Sequence, residues 1–258
     1  MKAFATFIPA AAIAAALAAT AAPASAAVFA SFSPDSAASD YRWINDGAGD
    51  TGTGGHFFSI SSQTSTVAQG VATHFQFLDP SVSALGFIPA TFTLDATVAD
   101  GHPATTNAAN VVNQTDVNGN FSFVYSGATT ANFNNSGIGL THGEVLLSGV
   151  FTDAWIQGAG GSGSANLAHI NGGTATFSSA LLDFSHVSPG TEEFAFNLLS
   201  ATPHFAHNPG AAMTSFRANG GGNFSAQVPE PATWGLMIVG FGGLGVMARR
   251  RRSAVATA

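Results

Sequence analysis

Within residues 27–228 lie several runs that alternate apolar and polar positions with a period of two or are rich in β-branched and aromatic residues. Phe92, Leu94 and Ala96 share one face of such a run, and Thr91, Thr93 and Asp95 share the other. Phe121 with Phe123 and Phe194 with Phe196 repeat the same spacing. Alternation of this kind is the mark of a half-buried strand. The runs are bounded by Gly, Asn, Asp, Pro and Ser, which favour turns. The pattern predicts strands over 28–33, 41–44, 56–60, 71–78, 90–98, 120–125, 144–151, 154–157, 174–184, 193–199, 213–216 and 223–226. No helical period is sustained between the two ends, and no fixed repeat length calls for a solenoid. The expected class is mainly β, a β-sandwich or jelly-roll-like domain, with the phenylalanines in its core. Loops are expected at 45–55, 100–120, 132–139, 158–164 and 218–223, the last as a spacer before the C-terminal segment.

The two ends depart from this texture. Lys2 is followed by an apolar, Ala-rich stretch over 3–20, then Pro23 and the small residues Ala24-Ser25-Ala26. This is the layout of a secretory signal peptide over 1–26, cut by signal peptidase after Ala26. A core helix would need a polar face, and the segment has none.

The C-terminal end has three parts in order. Pro229-Glu230-Pro231 comes first, an uncharged stretch over 232–248 second, and Arg249, Arg250, Arg251 and Arg252 third. As a transmembrane helix, 232–248 would span roughly 25 Å, the short limit for a bilayer core. Trp234 falls at its leading edge, where an indole prefers the headgroups. The four arginines resist translocation and set an N-out, C-in topology across the inner membrane. Pro229 and Pro231 hold the motif extended and outside the helix, as an exposed strip. Five glycines within the stretch lower its helix propensity and make it a poor permanent anchor.

Charge changes the picture further. Charged residues make up 8% of the 258, against about 25% in an ordinary domain. Of seven cations, the middle of the chain keeps only Arg42 and Arg217. A nucleic-acid binder needs a basic surface, so that class of partner is excluded. With no cysteine, disulfide scaffolds, thiol nucleophiles and thiolate metal sites are excluded too.

Candidate chemistry in the middle is thin. Eight histidines are scattered, and the one close pair, His204 and His207, lies between Pro203 and Pro209. Asp116-Val117-Asn118-Gly119-Asn120 resembles the start of a calcium loop, but glycine is at the fourth position rather than the sixth. A turn joining two strands explains Asn118-Gly119 equally well. Asp46-Gly47-Ala48-Gly49-Asp50 is similarly ambiguous. Gly160-Gly161-Ser162-Gly163-Ser164 lacks the last glycine of a nucleophile elbow and the lysine of a phosphate loop. Glu192 and Glu193 are adjacent, so on a strand they point to opposite faces and make no glycosidase pair. Four Asn-x-Ser/Thr triplets read as turn residues. No catalytic residue, metal ligand or cofactor is assigned. Weak calcium binding by acidic loops stays open as an expectation.

The tripartite C-terminus resembles the PEP-CTERM sorting signal in its Pro-Glu-Pro-x-x-Trp variety. Pro229, Glu230, Pro231 and Trp234 carry the resemblance, with Met237-Ile238-Val239-Gly240-Phe241-Gly242 and the arginine run behind them. Gly235 stands where that variety commonly has Ala. The resemblance covers a sorting signal over 228–252 and leaves 27–227 as the β-rich exported domain. It implies sorting and cleavage by an exosortase, an integral-membrane cysteine transpeptidase or protease, so catalytic residues belong to that partner. It also implies a surface, biofilm-matrix or extracellular protein of a Gram-negative, exopolysaccharide-making bacterium. The reading is a non-catalytic exported protein, held briefly in the inner membrane and associated with exopolysaccharide. The alternatives are a secreted hydrolase, or a carbohydrate-binding module with a row of exposed aromatics for which Trp43, Trp155 and Tyr125 are the candidates.

Overall fold

The strand Phe87–Val98 carries the longest unbroken alternation in the chain. Ile88, Ala90, Phe92, Leu94, Ala96 and Val98 are buried, and the residues between them face outward or lie half-buried. Both faces of this pattern match the sequence expectation for Phe92, Leu94 and Ala96. A computed structural model of the chain describes residues 26–36, 38–169, 173–187 and 190–227. Ala24, the motif Pro229–Pro231, Trp234, the stretch 232–248 and the arginine cluster lie outside the described residues. Among the described residues, no helix is long and apolar enough to cross a membrane.

The class is mainly β. Thirteen strands run β1 Ala27–Pro34, β2 Tyr41–Asn45, β3 Gly55–Ser59, β4 Val71–Phe77, β5 Phe87–Val98, β6 Thr105–Thr106 and β7 Val111–Tyr125. They continue as β8 Val145–Ala159, β9 Ala165–His169, β10 Thr174–Ser178, β11 Glu193–Thr202, β12 Phe216–Asn219 and β13 Gly222–Ala226. All pair antiparallel in one sheet. Two strands act as rails. Along β5, one edge holds β4 over Phe87–Phe92 and then β3 over Asp95–Val98, while β7 pairs across Ala90–Thr97. Along β11, β13 and β12 follow one another, and β9 pairs over Phe194–Leu198. Three ribbons join the rails: β4–β1–β13, β3–β2–β12 and β7–β8–β9. β6 extends from β7, and β10 from β8. Apart from β6 and β10, which pair on one side only, the sheet thus closes on itself, and closure removes most of the bare edges that invite aggregation.

Opposed ribbons meet through phenylalanine. Phe32 on β1 lies 4.8 Å from Phe123 on β7, 5.1 Å from Phe92 and 5.3 Å from Phe196, ring centre to ring centre. Phe121 on β7 meets Phe224 on β13 at 5.1 Å. Offset and edge-on packing at these distances adds to the hydrophobic gain of burying each ring. This face-to-face contact is what a sandwich requires, achieved here within one continuous hydrogen-bonded sheet.

Several local expectations are corrected. Residues 100–120 hold most of β7 and all of β6 rather than a single loop. Asn118-Gly119 is therefore not a turn. Gly119 lies inside β7, paired with Ala96 and Phe151, and a Cβ there would stand 2.4 Å from the Asp95 carbonyl oxygen. Asp116 takes a left-handed φ of 59° and the register to β8 slips on either side of Val117, so a bulge absorbs the polar residues. The break expected near 152–153 is a second such point, with Asp153 at φ 56° inside an unbroken β8. β9 was not expected, because Ala-Asn-Leu-Ala-His lacks β-branched residues. β10 ends at Ser178 rather than 184, where Ser179 Oγ accepts from the Leu181 and Leu182 amides and turns the chain. The spacer at 218–223 does not exist: Ala218 and Asn219 belong to β12, Gly222 and Asn223 to β13, and Gly220 turns between them at φ 155°.

Candidate functional site

The most informative sequence feature is the C-terminal sorting segment, and the fold sets how it is delivered. β13 lies between β1 and β11. Its residues Phe224 and Ala226 point inward and are buried, while Gly222 admits the close approach of Phe32 and Phe196. The pairing of β13 with β1 ends at Ala27 opposite Ala226. Gln227, next in the chain, donates its backbone N–H to Thr191 Oγ1 at 3.3 Å. Only Gln227 and Val228 then separate the sheet from Pro229. The expected signal cut falls on the same boundary, since Ala26 is exposed and β1 begins at Ala27. Chain entry and chain exit therefore occupy opposed positions on two paired strands. No local pattern could have announced this, because the pairing joins residues almost 200 apart.

The other candidates are dispersed. Trp43 is fully buried, with Nε1 donating to the Met213 carbonyl at 2.8 Å. Tyr125 is buried and its hydroxyl donates to the Ala128 carbonyl, while Trp155 is half-buried on β8. The row of exposed aromatics expected of a sugar-stacking face does not form from these three. His204 is exposed, and His207 uses its two nitrogens on Thr106 Oγ1 and the Asn208 carbonyl. Glu192 is buried with Oε1 accepting from the Phe177 amide, and Glu144 accepts from the Thr141 amide in a turn. Ser162 Oγ accepts from the Ser164 amide in the turn after β8.

The acidic loops are also internally committed. Asp116 Oδ2 lies 2.8 Å from His102 Nδ1 and accepts from Thr115 Oγ1. Asp50 Oδ1 accepts from the Ser215 amide and hydroxyl. Asp46 accepts from the Gly54 amide, and its hydrogen bond and charge raise the pKa of Asp100 beside it. Among the described residues, no three of His, Asp and Glu converge to hold a metal ion. One carboxyl is strongly perturbed. Asp40, 5% exposed and with no partner for Oδ2, is pushed up to about 6 by burial. Burial, aided by the Asp40 charge, also raises the neighbouring Tyr41 hydroxyl, which has no partner.

Comparison with known proteins bears on the exit segment. Residues 227–252 match the family model of the PEP-CTERM protein-sorting motif. No curated protein and no solved structure matches the chain.

Proposed function

We propose that the chain is an exported, non-catalytic surface or extracellular-matrix protein. In this reading a signal peptide over 1–26 starts export, the segment after Gln227 holds the chain briefly in the inner membrane, and an exosortase cuts near Pro229-Glu230-Pro231. The PEP-CTERM motif at 227–252 carries the reading, because that motif is the signal an exosortase recognises. The start of β1 at Ala27 supports the signal cut after Ala26, since the first strand begins directly after the proposed cut. A closed, phenylalanine-packed sheet whose polar loops bond among themselves supports a structural rather than catalytic cargo. Association with exopolysaccharide belongs to the same proposal and follows from the sorting resemblance.

Intact-mass measurement of the exported protein tests it, in cells with the exosortase present and removed. The expected product begins at Ala27 and lacks Arg249–Arg252 only when the exosortase is present. A product that keeps the four arginines in both cells overturns the sorting reading.

A further inference from the structure

Residues 27–227 contain thirteen carboxylates and two cations, Arg42 and Arg217. Each arginine could be neutralised by a neighbouring carboxylate. Instead the register places Arg217 on β12 directly opposite Arg42 on β2. Side chains so opposed share one face, and like charges there repel. The ion pairs among the described residues all join a histidine to an aspartate, so none of their carboxylates lies within 4.0 Å of either guanidinium. Arg42 Nη1 donates to the Ser65 carbonyl, and Arg217 Nε is buried without an acceptor. Burial and then the Arg217 charge lower the Arg42 pKa. Both arginines line a cavity of about 180 Å³ with Thr202, Pro203 and Ser215. Asp50, the acid bonded to Ser215, has already committed its Oδ1 there.

We propose that Arg42 and Arg217 form a binding site for a single oxyanion: a carboxylate, phosphate or sulfate group, free or carried on a sugar. The chemistry fits. Guanidinium forks match the paired oxygens of such groups, and one anion between two forks turns mutual repulsion into attraction. The buried Nε–H gains the acceptor it lacks. The surrounding negative field of thirteen carboxylates discourages casual anion binding, so occupancy depends on these two side chains. The proposal does not rest on the sorting reading.

Calorimetric titration of the full chain in neutral detergent tests the site, with sodium phosphate, sodium sulfate, D-galacturonate and neutral D-galactose as probes. At least one anion is expected to bind saturably, with Kd of about 1 mM or tighter, and galactose is not. Phosphate or sulfate alone identifies a free inorganic ligand, whereas galacturonate alone identifies a sugar-borne carboxylate. Arg42→Gln and Arg217→Gln should each weaken the bound anion roughly tenfold, while Arg217→Lys keeps part of the affinity. A ligand-induced rise in wild-type melting temperature gives a readout that needs no variant. No saturable anion binding to the wild type, or equal binding by the folded double glutamine variant, overturns the site.

Discussion

Ala27 and Ala226 stand opposite one another where β1 meets β13. One begins the first strand and the other ends the last, yet their strands are neighbours with β4 and β11 on their outer edges. The domain therefore cannot complete its sheet until the final strand has been delivered. Until then β1 and β11 expose unpaired edges, the hazard that closure removes.

A chain that stops after Gly221 should accordingly fail to reach the native state. It lacks β13 and the buried rings and methyls of Phe224 and Ala226. The expected outcome is loss of near-ultraviolet circular dichroism and concentration-dependent aggregation. A truncated chain with a native spectrum would show that β13 is dispensable.

Spacing to the sorting motif gives a second prediction. Two residues, Gln227 and Val228, lie between β13 and Pro229. On the proposed exosortase reading, deleting both would leave the motif without a spacer after the last strand, and the protease would have less extended chain to grip. Cleavage is expected to fall sharply, by about tenfold or more. Inserting a flexible Gly-Ser hexapeptide at the same point should leave cleavage intact. The fraction of trimmed protein, read by mass, decides between them.

Phe123 supplies the stability test. It is fully buried, with Phe32, Phe75 and Phe92 each 4.8 Å away by ring centres. Phe123→Ala should cost about 3–5 kcal/mol in urea unfolding, from lost transfer energy plus the cavity left behind. Phe87, 62% exposed at the start of β5, serves as the contrast, and Phe87→Ala should change stability by about 0.5 kcal/mol or less.

The difference between those two phenylalanines was legible in part. Phe121, Phe123, Phe194 and Phe196 announced their buried face by strict alternation, and the structure places all four in the core. The same logic failed for β7, because Asp116, Asn118 and Gly119 are turn formers by local preference. Tertiary pairing overrides that preference. β5 and β8 grip β7 on both edges, and the Asn118 side chain bonds to the Asp116 carbonyl and the Asp153 amide within the bulge. Likewise the sorting motif was readable as a word in the sequence. The facing of Arg42 and Arg217 was not, since it depends on a register between strands some 170 residues apart.

Asp40 provides the pH prediction. Its carboxyl is 5% exposed, makes no side-chain hydrogen bond at Oδ2, and is raised from 3.8 to about 6 by burial. A folded-state value above the unfolded one means the folded protein holds the proton more tightly. The stabilising contribution is therefore fully present below pH 3.8, where both states are protonated. It is lost as pH rises through about 6, where the buried group must ionise. Allowing for screening by solvent, the loss is on the order of 1–2 kcal/mol. Asp40→Asn removes the ionisation and keeps the shape. The variant should gain on the wild type by that amount between pH 3.8 and about 6, and hold a constant advantage above it. Urea midpoints measured for both proteins across this window check the sign, since other carboxyls titrate alike in the two and cancel. A gap between them that does not change with pH would mean that Asp40 keeps its ordinary value despite its burial.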